Sequence, residues 1–415
     1  MLQTQQEVSN LNNHPLATRM AIIAFITNNL TIACVWGSFS VMLVAVETRL
    51  GVGRELSSLG APAVNLASCI FAPLAGILAT RYSLWLIMVG GAALSVCGFA
   101  LLALTKSYPL YLVAFGLLLG AGMGVGLVLP ATLVTRWYSV NRGRALGIVG
   151  APIALVLMPF VSIWSLQSYG VAKTYAVLAA ISLISLIANC FVTDRPPEDS
   201  LKAANAPGAQ RVGHEAVMTM TQFLRTPRFW GLVFPFVASA SGSIMLSTHI
   251  VPMLRSWGFS TALGASLLAI QSAGGIAGTI IFGWITDRLG GALALTIVAF
   301  DAAILWMLLL VHPSFIVTAV VVGLIGAHGA GVVPVFSLAL SQAFGRESFS
   351  RAYGLTSLVN LPFAALCVPF AAIVFTDTGS YTGAIIGEAA FLGATSLLGL
   401  LVWRRRPVAP AAAVL

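Results

Sequence analysis

Four ionisable side chains lie inside long apolar stretches of this sequence. Asp301 and Glu388 supply carboxyl groups, and His249 and His328 supply imidazoles. Burying a charge in an apolar medium is costly, so such residues point to a function. An imidazole titrates near neutral pH and can therefore donate to an anion and pass on a proton. We take all four as candidates for proton coupling; the alternative for each is a packing side chain that a neighbouring helix satisfies.

Uncharged polar residues recur at helical spacing in the same stretches. Asn29, Trp36 and Ser40 stand seven and four residues apart, which places them on one face of a helix. Small polar residues also serve as contacts between membrane helices, and this alternative stays open. The predicted solute-binding residues are Asn29, Trp36, Ser40, Ser243, Ser247, His249, Gln271, His328, Thr356 and Asn360.

Other kinds of chemistry have no matching residues. A phosphate-binding loop needs Gly-Lys followed by Ser or Thr, and none of the three lysines (Lys106, Lys173 and Lys202) follows a glycine. Five cysteines lie in apolar runs without disulfide or metal spacing. We therefore predict no enzymatic activity, no metal, no cofactor and no use of ATP.

The amino-acid composition is typical of an integral membrane protein. The chain is 59% hydrophobic and 8% charged, whereas soluble domains carry about 25% charged residues. This excludes a soluble globular protein and a nucleic-acid binder.

A helix needs about 20 apolar residues to cross a bilayer, and the sequence has twelve such runs. They are 20–46, 58–79, 84–105, 109–135, 145–168, 171–192, 229–254, 260–286, 292–311, 314–343, 352–376 and 381–403.

Basic residues set the orientation, because Lys and Arg are retained on the cytoplasmic side. With the N-terminus inside, five of the 21 basic residues fall outside and the other sixteen inside. Both termini are therefore predicted to be cytoplasmic. The predicted parts are a tail at 1–19, a six-helix bundle at 20–192, a cytoplasmic loop at 193–228, a second six-helix bundle at 229–403, and a tail at 404–415.

The two halves match each other at an offset of 207 residues. Gly76 pairs with Gly283, Arg81 with Arg288, and five further glycine pairs share the offset. Two parallel six-helix repeats are a transporter architecture. The predicted fold is an all-α integral membrane protein of twelve transmembrane helices, with a solute site between the repeats that opens to each side in turn.

Loop motifs resemble the major facilitator superfamily. Gly283-Trp-Ile-Thr-Asp287-Arg288-Leu-Gly290 is similar to its G-x-x-x-D-R-x-G signature, and the copy Gly76-Ile-Leu-Ala-Thr80-Arg81 has Thr80 where Asp is usual. The stretches Arg136-Trp-Tyr-x-x-x-Arg142-Gly-x-Ala-x-Gly147 and Thr248-His-Ile-Val-Pro252 resemble the branch of monocarboxylate transporters and oxalate–formate antiporters. The resemblance implies gating at cytoplasmic helix ends, where an ion pair or carbonyl contact would hold an outward-open state. The gating candidates are Arg81, Arg144, Asp287, Arg288 and Arg351.

One departure from that branch bears on the substrate. Many members carry Arg in the eighth span within G-R-x-x-x-G to pair with a carboxylate, and here Thr279 stands at that position. The first and eleventh spans also have no Lys. A carboxylate would therefore rely on histidines, uncharged donors and helix N-termini.

The leading hypothesis is a secondary transporter in the inner membrane that carries a monocarboxylate or related organic acid, with proton symport or anion exchange. The second is a proton-coupled exporter of an amphipathic or neutral compound, and the third is a membrane sensor that does not transport. The predicted partners are a small organic solute, protons and membrane lipid, and a monomer suffices.

Overall fold

The computed structural model describes residues 15–138, 140–194, 217–311 and 314–404, and these residues form helices joined by short turns without any strand. Ten of the helical stretches are long and apolar enough to cross a membrane. Two of the ten hold an internal break, at Gly170 and at Gly345, and so supply two crossings each. The described residues therefore contain twelve crossings, numbered here as spans 1 to 12.

The first six spans follow the predicted apolar runs closely. In chain order their helices are Pro15–Ile32, Ala33–Gly37, Ser38–Leu50, Arg54–Ser58, Gly60–Leu78, Leu84–Leu104, Tyr108–Val113, Ala114–Leu119, Gly120–Trp137, Arg142–Gly150 and Ile153–Asn189. Two of these, Ala33–Gly37 and Ala114–Leu119, are short π-helical segments inside span 1 (15–50) and span 4 (108–137). Wider turns of this kind are frequent at functional sites of membrane and soluble helices.

The last six spans are equally regular. Their helices are Met220–Arg225, Pro227–Ser256, Thr261–Leu289, Gly291–Leu308, Leu309–Val311, Phe315–Thr378 and Thr382–Arg404. Span 7 is Pro227–Ser256, span 8 is Thr261–Leu289, span 9 is Gly291–Leu308, and span 12 is Thr382–Arg404. Spans 10 and 11 lie in the stretch Phe315–Thr378, before and after the break at Gly345.

The breaks at Gly170 and Gly345 have a simple backbone cause. Their φ angles are 76° and 75°, a region that residues with a Cβ rarely adopt and that glycine enters freely. Each glycine thus ends one crossing and starts the next without a loop. This explains how two continuous stretches, Ile153–Asn189 and Phe315–Thr378, can hold four helices in succession.

Packing divides the chain into two compact units. The first unit is Met1–Met220 with Arg346–Leu361, and the second is Thr221–Gly345 with Pro362–Leu415. The first has a core of aliphatic and aromatic side chains around Phe99, Tyr111 and Phe115. The second has a core around Trp306, Ile325 and Leu392. The segment Arg346–Leu361 thus packs with the first unit, and the predicted bundle limits at 20–192 and 229–403 stay a prediction.

Candidate functional site

In the second unit, spans 7 and 12 pack against each other along a contact that we call the 7/12 seam, formed by Gly242, His249, Tyr381 and Glu388. Gly242 meets Glu388, and His249 meets Tyr381. The two contacts lie seven residues apart on both segments (249 − 242 and 388 − 381), so the segments run antiparallel. Two helical turns separate the contacts, or about 10 Å at 1.5 Å per residue.

The His249 ring is held at both nitrogens. Its Nδ1 lies 3.3 Å from the Tyr381 hydroxyl, and its Nε2 lies 3.0 Å from the Val368 carbonyl oxygen. A carbonyl only accepts hydrogen bonds, so Nε2 carries the proton, and in the neutral ring Nδ1 accepts from the tyrosine. Tyr381 is fixed in turn by stacking on Phe375, with ring centroids 4.5 Å apart. His249 therefore ties span 7 to span 11 and to the start of span 12.

Glu388 is the most deeply buried carboxyl among the described residues of the spans. Its side chain is 7% exposed, and its Oε1 has no hydrogen-bond partner within the described part of the chain. Oε1 lies against the backbone of Gly242, which has no side chain, and a Cβ added at position 242 would overlap Oε1. Glycine at 242 is therefore what makes room for this carboxyl.

A second polar group joins spans 7, 8 and 10 around the backbone of Ser243. The Ser243 carbonyl oxygen accepts from the Gln271 amide at 3.3 Å and from the Ser247 hydroxyl at 2.7 Å. The Ser243 hydroxyl sits against Gly329 so closely that a Cβ at 329 would overlap it. Gln271 is buried and Ser247 is exposed. The geometry thus brings together three of the predicted solute-binding residues, Ser243, Ser247 and Gln271.

His328 has one free nitrogen. Its Nδ1 lies 2.8 Å from the Leu324 carbonyl oxygen, so Nδ1 carries the proton in the neutral ring. Its Nε2 is buried without a partner in the described residues, and the ring meets Phe282 edge-on at 4.9 Å. Asp301, which is half-buried on span 9, lies close enough to interact electrostatically with His328. In the neutral ring Nε2 is therefore a hydrogen-bond acceptor that no donor among the described residues reaches.

The predicted solute-binding residues of the first unit have other surroundings. The Asn29 amide donates to the Val149 carbonyl at 3.4 Å and accepts from the Ala154 backbone N–H at 3.1 Å. It thereby spans the interruption between Arg142–Gly150 and Ile153–Asn189. Trp36 lies in the π-helical segment of span 1 and packs on the core of this unit. The side chain of Ser40 lies outside the described residues.

Thr356 and Asn360 lie on the segment Arg346–Leu361. The buried Thr356 hydroxyl donates to the Ala352 carbonyl at 2.9 Å, four residues back in the same helix. The half-buried Asn360 has a side-chain oxygen without a partner among the described residues. Asn360 is thus the one of the pair with spare hydrogen-bonding capacity.

Among the gating candidates, Arg351 makes a defined contact within the first unit. Its guanidinium donates to the Thr80 hydroxyl at 2.6 and 3.1 Å and to the Met218 carbonyl at 3.2 Å. The Met218 backbone N–H donates to the Ser348 hydroxyl at 3.1 Å. Thr80, the residue that replaces the usual Asp, thus serves as a neutral acceptor for Arg351.

The other gating candidates are more open. Arg81 and Arg144 are exposed, and Asp287 is half-buried. The Arg288 guanidinium stacks 3.7 Å from the centre of the Trp284 ring, which screens it from solvent on one face. Gating by these residues stays a prediction.

Sequence reasoning did not single out two residues of the 7/12 seam, Gly242 and Tyr381. The available signal was their spacing, because each lies seven residues from a candidate on its own segment. Thr279, which was singled out, is 1% exposed, and its hydroxyl donates to the Ile276 carbonyl at 2.8 Å. No cation therefore occupies that point of span 8.

The fold and the motifs are those of one protein family. The model of the Major Facilitator Superfamily matches residues 24–364, and the chain belongs to this superfamily. It is therefore a multi-pass membrane transporter and not an enzyme, and the predicted all-α fold is confirmed.

Similar proteins of known sequence include transporters from bacteria and animals. The chain is 21% identical over 326 residues to the uncharacterized MFS-type transporter YhjX of Escherichia coli, covering 78% of each chain. It is 24% identical over 338 residues to monocarboxylate transporter 13 of Bos taurus, covering 80% of this chain and 76% of that one. It is 28% identical over 204 residues to the oxalate:formate antiporter of Oxalobacter formigenes, covering 48% and 47%.

Solved structures share the fold at low identity. The E. coli fucose:proton symporter FucP has a TM-score of 0.68 and 14% identity, with 92% of this chain and 98% of that chain covered. The human organic anion transporter MFSD10 has a TM-score of 0.68 and 16% identity, with 93% and 100% covered. These likenesses establish the architecture alone.

Proposed function

We propose that this transporter carries a monocarboxylate or a related small organic acid by alternating access, with proton symport or anion exchange. Two similar proteins are named for such solutes, monocarboxylate transporter 13 and the oxalate:formate antiporter. The loop motifs around Arg136 and Thr248 support the same branch. The named relatives and the motifs thus favour an acid over other classes of solute.

The observation that carries the proposal is the unpartnered Nε2 of His328. A buried acceptor without a donor costs about 1–3 kcal/mol, and a protonated carboxylic acid brings the missing O–H group. The same nitrogen would take up that proton to leave a carboxylate beside an imidazolium. His328 can therefore meet either form of an organic acid.

The uncharged side chains of Thr279, Ser243, Ser247 and Gln271 favour the protonated acid. Thr279 stands where related transporters place an Arg, and its hydroxyl is turned back to its own helix. Ser243, Gln271 and Ser247 offer hydroxyl and amide groups and no charge. Binding a bare anion here would need a compensating cation, whereas an uncharged acid needs only hydrogen bonds.

The transporter is proposed to work in the cytoplasmic, or inner, membrane with both termini inside. Bacterial relatives from E. coli and Bacillus subtilis support the membrane assignment. The asymmetry of basic residues supports the orientation. Labelling of single cysteines introduced near the two ends should reach both from the same side.

Counterflow in proteoliposomes tests the solute class. Vesicles preloaded with unlabelled formate, acetate, lactate or oxalate should accelerate uptake of the same labelled acid. His328→Phe should weaken that exchange, while Tyr82→Phe, at an exposed tyrosine, should not. If none of these acids accelerates exchange in the wild type, the acid assignment is wrong.

A second candidate function is export of an amphipathic or neutral compound. It is favoured by Thr279 at the position of the branch's Arg, because a neutral cargo needs no cation. Cells that lack or overproduce the protein would then differ in their resistance to a panel of toxic compounds. Equal resistance together with acid counterflow would exclude this second function.

A further inference from the structure

We infer that Glu388 is the group that binds and releases the proton transported with the solute. This inference rests on the proposed function, because it takes transport to be proton-coupled. The proton is its ligand, and the 7/12 seam is its site. The observations that carry it are the burial of Glu388, its free oxygen, and the glycine that faces it.

The seam fits an uncharged carboxyl and not a carboxylate. Glu388 is 7% exposed, and its Oε1 finds no donor among the described residues. An ionised carboxylate in such a place costs far more than a protonated one. When the seam is closed on Gly242, Glu388 therefore carries a proton.

Among the described residues, spans 7 and 9, which pack against span 12, supply no cation near Glu388, and span 9 contains no Lys or Arg. On span 7 the described basic residues are Arg228 and Arg255, which are 14 and 13 residues from Gly242 (242 − 228 and 255 − 242). These separations correspond to about 20 Å.

The titratable groups on the same helices include an imidazole, a thiol, a phenol and two carboxyls. His249 lies on span 7, Asp301 on span 9, and Cys367 on span 11, where the thiol interacts electrostatically with Glu388. Asp377 and Tyr381 lie towards the loop between spans 11 and 12. Both nitrogens of His249 are engaged by Tyr381 and Val368, two helical turns from the contact of Glu388 with Gly242. Protonation of its carboxyl is therefore the way in which Glu388 can be uncharged while the seam is closed.

Span 7 has the features needed to open the seam. Pro235 and Pro252 lie inside this helix, on either side of Gly242. Each proline removes a backbone hydrogen bond and permits a bend, and Gly242 adds backbone freedom. A bend that moves Gly242 away from Glu388 admits water, and the O–H bond of the carboxylic acid then breaks as its proton passes to that water. Reprotonation from water restores the neutral acid and lets the seam close.

The test distinguishes transport that is coupled to protons from transport that is not. Wild type, Glu388→Gln and the control Asp377→Asn, an exposed carboxyl of the same unit, are reconstituted. Counterflow at equal pH needs no net proton movement, and uptake driven by an inward proton gradient does. Glu388→Gln should keep counterflow within about twofold and lose gradient-driven uptake, while Asp377→Asn should keep both.

Each other outcome has a definite meaning. The inference would be overturned if Glu388→Gln showed gradient-driven uptake at the wild-type level. It would also be overturned if the wild type showed counterflow but no uptake in response to a proton gradient. Both results would leave the acid assignment intact. Absence of acid counterflow in the wild type counts against the proposed function instead, and the comparison is then run with the solute that the wild type carries.

A second variant covers the case in which Glu388→Gln does not fold. Glu388→Asp keeps the carboxyl but shortens its reach by one methylene. It should keep gradient-driven uptake with a pH midpoint moved from that of the wild type. An unchanged midpoint in Glu388→Asp would overturn the inference.

Discussion

His249 and Tyr381 form a hydrogen bond of 3.3 Å across the 7/12 seam, two helical turns from the contact of Gly242 with Glu388. In the neutral ring this bond uses the lone pair of Nδ1, because Nε2 donates to Val368. The seam thus has a hydrogen-bonded end and a carboxyl-bearing middle on one pair of helices. Substitutions at each point should have different and measurable effects.

Tyr381→Phe should destabilise the protein without altering its packing volume. The change removes the hydroxyl and leaves the Nδ1 acceptor of His249 unpaired, which costs about 1 kcal/mol. The measurement is the apparent unfolding temperature in detergent, with Tyr82→Phe as the exposed control. Equal stability of Tyr381→Phe and wild type would mean that the bond contributes nothing.

Gly242→Ala should disturb Glu388, because the new methyl group overlaps Oε1. We expect a loss of about 1–3 kcal/mol from overpacking. In a double-mutant cycle with Glu388→Ala most of that loss should disappear, since the shorter side chain leaves room. Gly393→Ala on span 12, where an added Cβ meets nothing within 4 Å, is the matched control. Additive effects of Gly242→Ala and Glu388→Ala would contradict the predicted overlap.

His328→Phe should separate stability from solute binding. The change removes an unpaired buried acceptor together with the hydrogen bond to the Leu324 carbonyl. The two effects oppose each other, and a phenyl ring can still pack on Phe282, so we expect stability to change by less than about 1 kcal/mol. Solute affinity should nevertheless fall about tenfold, or about 1.4 kcal/mol. Thermal unfolding with and without the acid measures both quantities. His249→Phe should differ by losing stability, since it breaks two bonds.

Thr80→Val should weaken the attachment of Arg351. The substitution removes the hydroxyl that accepts at 2.6 and 3.1 Å, and we expect a loss of about 1–2 kcal/mol. Thr80→Ser keeps the hydroxyl and serves as the control. Thr80→Asp, which restores the usual residue of the motif, should raise stability above wild type, because hydrogen bonds between charged partners are stronger. Unfolding temperatures that rank Val above Ser would refute this role of Thr80.

The transmembrane architecture was predictable because apolar run length is a local property. The apolar run at 84–105 became Leu84–Leu104, and that at 381–403 became Thr382–Arg404. That the single glycines Gly170 and Gly345 break the helix and join two crossings without a loop was not foreseen, since it depends on glycine backbone angles. The segment Arg346–Leu361 packs with the first unit, which no local pattern indicates.

The site was predictable in its residue types more than in their partners. Glu388 and His328 stood out as ionisable groups in apolar runs, and one atom of each has no hydrogen-bond partner among the residues that the structure describes. Asn29 stood out equally, yet backbone groups near residue 150 occupy its amide. Which hydrogen bonds an amide or imidazole makes depends on tertiary neighbours far away in sequence, and periodicity carries no information about them.

The contact of Arg351 with Thr80 and Met218 has a consequence for the response to ionic strength. Dissolved ions screen the attraction between opposite charges over about 8–10 Å, but they act weakly on a short hydrogen bond to an uncharged oxygen. The acceptors here are a hydroxyl and a carbonyl, and the neighbouring charge of Arg81 repels Arg351. Added salt should therefore relieve that repulsion and leave the attachment as firm as before, whereas an aspartate at position 80 would make it sensitive to salt.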